Sequence, residues 1–366
     1  MKYYILAGEA SGDLHASNLM KALQKQDANA DFRFWGGDLM QAVGGTLVKH
    51  YKERAFMGFA EVILNLRTIL GMFKLCKEDI ASYQPDHIIF IDNSGFNLRI
   101  AKWAKQQNFN TNYYIAPQVW ASRAGRVKDI KRDIDKMFVT LPFEKDFYKK
   151  YDYKVNFVGH PLLDEIEGRK QIDEDTFRKE NGLSNKQIIA LLPGSRKQEI
   201  NKMLSVMLKM ADKFSEYQFV IAGAPSQDYE FYQQFIKTEN VKFISNKTYD
   251  LLSISYAALV TSGTATLEAA LFKVPEVVCY KGSWLSYQIA KRIITLKYIS
   301  LVNLIMDREV VTELIQNDFN EKRLEQELHK ILDSQYRQEL FGDYYDLEQK
   351  LGGAGASENT AKLIVG

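Results

Sequence analysis

Cysteine is scarce in this chain, which carries only Cys76 and Cys279 among its 366 residues. The two cysteines lie far apart and form no Cys-x-x-Cys pair, which excludes a disulfide framework and argues against a zinc site. The five histidines fall at no spacing typical of metal ligands, so we predict no bound metal. This cysteine usage fits the reducing environment of the cytoplasm.

Net charge is small as well, only +2 at pH 7. A protein that binds nucleic acid through its phosphates carries a larger basic excess, so we predict no nucleic-acid partner. The sequence pI of about 8.2 is compatible with contact at an anionic membrane surface.

Long apolar runs are also missing. No uninterrupted stretch of about eighteen apolar residues occurs, which is the length that a membrane-spanning helix needs. The N-terminus enters a predicted strand at once, without the charged segment, apolar segment and cleavage site of a secretory signal. The sequence therefore predicts neither membrane spanning nor secretion.

Apolar residues are nevertheless plentiful, at 46% of the chain, which is enough for two domain cores. Short strand-like runs alternate with helical patterns in both halves, which is typical of doubly wound parallel sheets. In the first half the runs are "KYYILA", "FRFWGG", "HIIFID", "TNYYIA" and "KMFVTL". In the second half they are "QIIALLPGSR", "QFVIAGAP", "VKFISN", "AALVTSG" and "PEVVCYK".

We predict an α/β protein of two Rossmann-like domains whose parallel sheets face each other across a cleft. Glycine and proline end a strand at "GHP", residues 159–161, so the first domain spans residues 1–162 and the second spans 163–344. Residues 345–366 are predicted to end in a helix with an apolar face that needs a docking surface. The sequence leaves open whether this helix packs back on the first domain.

The loop after the first predicted strand, "LAGEASGDLH", is rich in glycine and acids. Its spacing excludes a nucleophile elbow, a Walker loop and a dinucleotide fingerprint, because the glycines and the serine fall at the wrong positions. What remains is a short flexible turn with an exposed Glu9 and the N–H groups of a following helix. Such a turn favours a polar ligand.

Two loops of the second half indicate a nucleotide-sugar pocket. "LLPGSRKQEI" places Arg196 just after a strand, where a guanidinium can reach a phosphate. "VTSGTATLEAAL" turns at Ser262 and Gly263 and opens a helix at Thr264, with Glu268 one turn inside. The helix N-terminus suits a diphosphate and the carboxylate suits sugar hydroxyls. The alternative is purely structural, with Ser262 or Thr264 capping the helix and Glu268 complementing its dipole.

Several strings closely resemble the lipid-A-disaccharide synthase family, in order from Leu6 to about Leu314. They are "AGEASGD", "MGFAEV", "FID…FN", "APQVWASR", "LPFEKDFY", "FVGHPLLD", "LLPGSRKQEI", "SGTATLEAAL" and "SLVNLI". The resemblance implies a glycosyltransferase of the GT-B type that needs neither metal nor cofactor. It implies transfer of 2,3-diacylglucosamine from UDP-2,3-diacylglucosamine to the 6-hydroxyl of 2,3-diacylglucosamine 1-phosphate, with inversion and release of UDP.

The resemblance also implies site residues. On the UDP side these are Arg196, Gly223, Ser262, Gly263, Thr264, Glu268 and Asn303. On the acceptor side they are Glu9, Ser11, Gly12, Asp13, Asp92, Asn97, Gln118, Trp120 and Arg123. The motif "IDNSGFN" departs from a common form of the family, "IDAPDFN", because Gly95 replaces the second acid. Asp92 is then the only carboxylate in the motif and our candidate for the general base, with Glu9 as the competitor.

An amphipathic stretch, "FMGFAEVILNLRTILGMFKLCK", is too charged to span a membrane. Its apolar residues at helical spacing are Phe59, Val62, Ile63, Leu66, Ile69, Leu70 and Phe73. We expect its exposed part to take acyl chains and to touch the membrane, with Arg67, Lys74 and Lys77 meeting anionic headgroups. The alternative is a helix packed on its own sheet.

The expected location is the inner face of the inner membrane of a Gram-negative bacterium.

Other function classes stay open at this point. A UDP-sugar transferase with a lipid-linked muramyl acceptor would share the second-half pocket, and a nucleotide-sugar epimerase of the same fold would need no lipid surface. A scaffold without enzymatic activity would bind no UDP. The sequence also leaves a homodimer open and gives no acyl-chain length.

Overall fold

The computed structural model describes residues 1–54, 66–224, 226–282 and 297–366. The chain forms two compact units, of which the first comprises Met1–Glu167 together with Leu351–Gly366 and the second comprises Gly168–Lys350. Each unit has its own parallel sheet and its own core. The chain therefore enters the second unit after Glu167 and leaves it after Lys350.

The first unit contains a seven-stranded sheet in the order β3-β2-β1-β4-β5-β6-β7, with every pair parallel. The strands are β1 Lys2–Ala7, β2 Asp31–Gly36, β3 Thr46–His50, β4 His87–Ile91, β5 Thr111–Tyr114, β6 Lys136–Val139 and β7 Asn156–Phe157. The strand order reverses direction between β1 and β4, as in a Rossmann fold.

The second unit contains a six-stranded parallel sheet in the order β10-β9-β8-β11-β12-β13. Its strands are β8 Ile188–Leu192, β9 Gln218–Gly223, β10 Val241–Ser245, β11 Ser255–Thr261, β12 Glu276–Tyr280 and β13 Glu313–Ile315. The order again reverses at the first strand, between β8 and β11. The two units therefore repeat one topology, although the sequence shows no repeat.

Helices follow most of the strands. Those of residues 1–180 are α1 Ala10–Gln26, α2 Asp38–Val43, α3 Leu66–Tyr83, α4 Ser94–Gln106, α5 Val119–Ser122, α6 Val127–Asp133, α7 Phe143–Lys149, α8 Pro161–Glu167 and α9 Glu174–Glu180. The others are α10 Lys197–Met207, α11 Lys209–Lys213, α12 Tyr229–Gln233, α13 Thr248–Ser253, α14 Thr264–Leu271, α15 Leu301–Met306, α16 Glu321–Leu332, α17 Ser334–Lys350 and α18 Ala356–Val365. Two 3-10 turns span Tyr51–Arg54 and Ala124–Arg126.

Strand β1 is covered on both faces, as parallel strands require. Tyr3 and Ile5 face a core that α1 completes, while Tyr4 and Leu6 face a second core that α4 completes. All four side chains are at most 1% exposed. This two-sided burial explains why the strand has a continuous apolar run instead of an alternating one.

The last helix, α18, packs in the first unit. The Asp164 carboxylate of α8 accepts hydrogen bonds from the backbone N–H groups of Gly355, Ala356 and Ser357 at 2.5 to 3.1 Å. Ile364 lies in the same core as Tyr3 and Ile5. The carboxylate therefore supplies the acceptors that the first N–H groups of α18 need, and the apolar face holds the helix to the sheet.

An ion pair holds α3 against the sheet. Arg33 of β2 donates two hydrogen bonds to Asp79 of α3, at 2.8 and 2.6 Å, and the Tyr4 hydroxyl donates a third at 2.7 Å. Two parallel bonds from one guanidinium fix both distance and orientation. Helix α3 is therefore tied to β1 and β2 through one carboxylate.

Glu276, at the start of β12, is a fully buried acid. Neither of its carboxyl oxygens has a hydrogen-bond partner within the part of the chain that the structure describes. Burial raises its pKa well above the usual value, and the charge of Glu313 adds to the effect. The folded state therefore favours the protonated form, and this contribution to stability is lost as pH rises above the ordinary carboxyl range.

We expect Glu276→Gln to raise the melting temperature at pH 8, by about 2–4 °C for each kcal/mol gained, and to have less effect at pH 5. The physical reason is that the amide cannot ionise. Thermal melts at both pH values test this. Glu313→Gln is the control, because the Glu313 carboxylate accepts four hydrogen bonds and the change should lower the melting temperature at both pH values. A gain for Glu276→Gln that is equal at pH 5 and pH 8 contradicts the assignment.

Candidate active site

Each unit has one point where strand order reverses, and each point marks a candidate ligand-binding edge. At such a point, neighbouring loops leave the carboxyl edge of the sheet in opposite directions and open a crevice that binds ligands. In the first unit this edge carries the loops after β1 and β4, and in the second unit it carries the loops after β8 and β11. Several of the predicted motifs lie on these four loops.

The loop after β1 presents Glu9 to solvent. Glu9 is the N-cap residue of α1, and its side chain makes no capping hydrogen bond. Ser11, two residues on, is also exposed. At Gly8 a Cβ atom would stand only 2.1 Å from Nδ2 of Asn93, so the loops after β1 and β4 approach too closely for a side chain there. The exposed Glu9 carboxylate can therefore meet a ligand.

Asp13 has a different role. It is 2% exposed, as buried as the neighbouring Gly12, and its carboxylate accepts hydrogen bonds from the N–H groups of Gly37, Leu39 and Met40. These donors are at the start of α2, where backbone N–H groups have no helical partner. The Asp13 side chain therefore holds α2 beside α1 and is not available to an acceptor sugar.

Asp92 directly follows β4 and is exposed at the edge of the sheet. Asp92 and Asn93 both have left-handed backbones, with φ of +45° and +41°, which non-glycine residues seldom adopt. Neighbouring protein atoms partly desolvate the Asp92 carboxyl and raise its pKa. A carboxylate that is accessible and more basic than usual suits proton abstraction.

Buried donors hold this strained turn in place. Asn97 is 1% exposed, and its Nδ2 donates to the carbonyls of Leu6, Ile91 and Asp92 at 3.4, 3.1 and 2.9 Å. The Tyr113 hydroxyl donates to the same Asp92 carbonyl. Asn97 therefore ties the ends of β1 and β4 together and positions Asp92.

The loop after β5 carries the rest of the acceptor-side prediction. Gln118 and Arg123 are exposed on either side of the single-turn helix α5. Upstream, Ile115 has φ of +63°, which is a strained conformation for a β-branched residue. Trp120 is half-buried and lies edge-on to Phe143, with 4.9 Å between ring centroids.

Glu144, to which the sequence analysis gave no role, contacts the predicted site residue Trp120. It is 1% exposed and accepts hydrogen bonds from Trp120 Nε1 and from the N–H groups of Thr140 and Leu141. Burial raises its pKa to about 7. It sits in the first turn of α7, where an acid is usually explained by the helix dipole. The string "LPFEKDFY" pointed to the position, but nothing in it indicated burial.

In the second unit, the loop after β8 begins with Gly194, whose φ of +99° favours glycine. The Glu199 carboxylate fills the space beside Gly194 and accepts a hydrogen bond from the Ser195 N–H. Arg196 is the N-cap residue of α10, and its side chain is exposed. Within the described ranges its guanidinium makes no ion pair, so it is available to an anion.

The loop after β11 presents an open helix N-terminus. The N-cap residue of α14 is Gly263, at φ +151°, and no side chain caps the helix. No described atom lies within 4 Å of the place where a Gly263 Cβ would stand, and Thr264 is exposed. Ser262 instead donates its hydroxyl to the Ile299 carbonyl at 2.9 Å. Among the described residues the N-terminus of α14 therefore has no side-chain cap and lies beside open space, as an anion site requires.

Three further predicted residues, Glu268, Gly223 and Asn303, are at least partly buried. Glu268, one turn into α14, is partly buried and accepts a hydrogen bond from the Tyr249 hydroxyl at 3.2 Å, and burial raises its pKa. Gly223 is buried, and a Cβ there would stand 2.4 Å from the ring of Phe243. The absence of a side chain at Gly223 is therefore needed for packing.

Asn303 is fully buried in α15. Its Nδ2 donates to the Val311 carbonyl and to Glu313, and its Oδ1 accepts from the N–H groups of Val310 and Val311. Protein partners occupy both ends of the amide, so Asn303 holds the segment before β13 and presents no polar atom to a nucleotide.

The predicted lipid-facing residues fall partly outside the described ranges. Phe59, Val62 and Ile63 lie outside them, and Leu66 is the first residue of α3. Ile69 is half-buried and Leu70 is 59% exposed.

The prediction that Phe73 faces lipid is corrected by the structure. Phe73 stacks on Phe96, with 4.6 Å between the ring centroids, and packs against the core of the first unit. Two predicted headgroup cations are also engaged, since Lys74 lies 3.8 Å from Glu78 and Lys77 lies over the Trp103 ring. Leu70 and Leu75 of α3 remain exposed.

Neither a metal site nor a spanning helix is found in the described residues. Those residues contain no group of three or more histidine, cysteine or acidic side chains that could hold a metal ion. The helices that the structure describes are all too short or too polar to cross a membrane.

Solved structures with the same architecture are nucleotide-sugar enzymes and glycosyltransferases. UDP-GlcNAc 2-epimerase from Neisseria meningitidis, bound to UDP-GlcNAc, matches with a TM-score of 0.68 at 13% identity, covering 100% of this chain and 98% of that one. CalG4, the calicheamicin glycosyltransferase, matches with a TM-score of 0.62 at 14% identity, covering 99% and 97%. At these identities the likeness shows the fold alone, and that fold is the GT-B class.

Sequence comparison identifies the family. The Lipid-A-disaccharide synthetase family (LpxB) matches residues 3–363. Lipid-A-disaccharide synthases from Syntrophus aciditrophicus and Idiomarina loihiensis are 39% and 38% identical to this chain, each over 99% of it and over 96% and 97% of their own lengths. The chain therefore belongs to the lipid-A-disaccharide synthase family of glycosyltransferases, and the resemblance noted from the motifs is confirmed.

Proposed function

We propose that this chain transfers 2,3-diacylglucosamine from UDP-2,3-diacylglucosamine to the 6-hydroxyl of 2,3-diacylglucosamine 1-phosphate, with inversion and release of UDP. The observation that carries the proposal is family membership over 99% of the chain, which gives the reaction class as formation of a lipid A disaccharide. The epimerase alternative rests on a shared fold at 13% identity and is not favoured. The product is the β-1,6-linked disaccharide 1-phosphate.

The test is mass spectrometry of the products after purified protein is mixed with both diacylated substrates. We expect the acylated disaccharide 1-phosphate and UDP in equal amounts. Free sugar without disaccharide would contradict the proposal and favour an epimerase or a hydrolase.

The donor half of the proposal rests on the second unit. UDP lies at the open N-terminus of α14, where Gly263 and Thr264 offer backbone N–H groups and Ser262 begins the turn. Arg196 meets the diphosphate from the loop after β8, and Glu268 accepts hydrogen bonds from hydroxyl groups of the nucleotide sugar. A helix N-terminus and a guanidinium together stabilise the charge that develops on the leaving diphosphate, as a metal ion would otherwise do.

The acceptor half rests on the first unit. An inverting displacement needs a base on the face of the sugar opposite the leaving UDP, because the 6-hydroxyl is a poor nucleophile. Asp92 is our choice, since it is exposed at the edge of the sheet, held by buried donors and more basic than usual. Glu9 lies on the neighbouring loop as the competitor, and Gln118, Trp120 and Arg123 contact the acceptor.

We further propose that α3 contributes to contact with the inner face of the inner membrane. Leu70 and Leu75 are 59% and 44% exposed on this helix, and a solvent-exposed pair of leucines on an amphipathic helix suits acyl chains. Anionic lipid adds attraction for a chain of pI about 8.2.

We expect Asp92→Asn to keep the fold and the affinity for UDP, and to lower turnover roughly 100-fold or more, because the amide cannot take the proton. Turnover at saturating substrates and UDP binding by calorimetry are the measurements. Glu9→Gln is the matched variant. Near-normal turnover in Asp92→Asn together with a collapse in Glu9→Gln would move the base to Glu9.

We expect Arg196→Ala to lower kcat about 100-fold or more, because charge on the leaving diphosphate loses its guanidinium. Arg196→Lys should recover little, since lysine lacks the two-pronged donor geometry. Steady-state kinetics on both variants give the answer. Lys197→Ala serves as control, because Lys197 is equally exposed on the next residue. Full activity in Arg196→Lys would refute the two-pronged contact.

We expect Leu70→Gln to weaken binding to phosphatidylglycerol-containing vesicles, by about tenfold if the side chain is fully inserted. Leu39→Gln is the control, because Leu39 is 46% exposed on α2 of the same unit. Co-sedimentation at low and high salt measures the binding and its electrostatic part. Equal binding to anionic and uncharged vesicles, or equal losses in both variants, argues against the membrane surface proposed.

A further inference from the structure

We propose that Glu144 is the positioning residue of the acceptor side, because its carboxylate links the end of β6 to Trp120 and so fixes the loop after β5. The inference rests on the proposed function, which assigns Trp120 to the acceptor. It adds a residue to which the sequence reasoning gave no role.

Both carboxylate oxygens of Glu144 are used, and they are used on different partners. Oε2 accepts from the N–H groups of Thr140 and Leu141 at 3.2 and 3.0 Å, and Oε1 accepts from Trp120 Nε1 at 3.2 Å. A carboxylate can accept at both ends, whereas glutamine must present an NH₂ group to one of the two sets of donors. The bridge therefore requires an acid at this position.

Burial distinguishes this acid from a helix-dipole contact. Glu144 is 1% exposed, and burying a carboxyl is costly unless donors surround it. Asp146, in the same first turn of α7, is exposed and suffices for the dipole. The hydrogen bond to the Trp120 indole explains why an acid is buried at this position.

Trp120 in turn holds the loop. It belongs to α5, a helix of a single turn that cannot maintain its own conformation, and it lies between the exposed Gln118 and Arg123. Its ring packs edge-on against Phe143, the residue before Glu144. The Trp120 indole thus has its hydrogen-bond acceptor in Glu144 and its packing surface in Phe143, two consecutive residues of α7. These two contacts fix the position of the indole and of its neighbours.

The test compares Glu144→Gln, Trp120→Phe and the double variant, with Asp146→Asn as control. Trp120→Phe keeps an aromatic ring and removes the donor. We expect each single change to raise the acceptor KM about tenfold, the size of one lost hydrogen bond, and to leave the Kd for UDP unchanged. The double variant should lose no more than the worse single variant, and Asp146→Asn should match the wild type.

A second readout needs no activity. In ¹⁵N-indole-labelled protein, the resonance missing from Trp120→Phe identifies the Trp120 signal among the four tryptophans. We expect its N–H to exchange slowly with solvent in the wild type and faster in Glu144→Gln. An unchanged exchange rate, an unchanged acceptor KM in an active protein, or additive losses in the double variant overturns the inference. A wild type that forms no disaccharide refutes the proposed function instead, and the exchange rate still decides whether Glu144 holds Trp120.

Discussion

The reversal of strand order at the first strand of each sheet is the constraint on which the site depends. Crossovers between parallel strands are right-handed, so reversing direction sends the following helices to opposite faces. In the first unit α1 covers the face of Tyr3 and Ile5, while α4 covers the face of Tyr4 and Leu6. The loops after β1 and β4 therefore lead to helices on opposite faces, and the second unit has the same reversal between β8 and β11.

Residues in the family-specific strings divide into two physical groups. Glu9, Asp92 and Arg196 are exposed at the sheet edges, where they can meet substrate. The second group is at most 2% exposed and forms hydrogen bonds with the backbone of neighbouring loops. It consists of Asp13, Asn97 and Asn303. The second group makes the first possible, because loops with left-handed residues such as Asn93 need buried donors and acceptors to stay in one conformation.

Most of the strands could be predicted from sequence, including the edge strand β10, and the edge strands β3 and β13 could not. Strands buried on both faces have continuous apolar runs, which is why "KYYILA" matches β1 at both ends. Strands β3 and β13 were missed because they are five and three residues long and partly exposed, so their pattern is weak. Loop positions followed from the strands, and many of the candidate residues lie at the carboxyl edges of the two sheets.

Burial of the polar side chains was beyond sequence reasoning. Asp13 and Glu144 both lie in the first turn of a helix, where an exposed acid is the usual expectation. Their partners, at Gly37 and Trp120, lie more than twenty residues away in sequence and become visible only in three dimensions. The same limit applies to Phe73, which shares an apolar stripe with Leu70 yet packs inward on Phe96.

The packing of α18 in the first unit affects when the core of this unit can be completed during synthesis. Ala361 and Ile364 complete the core formed by one face of β1, so this core stays open during synthesis until residues 356–365 have left the ribosome. By then the whole second unit has emerged and can fold, whereas the first unit waits with apolar surface uncovered. The unit whose first residue is translated first is thus the unit whose core is completed by the last residues translated.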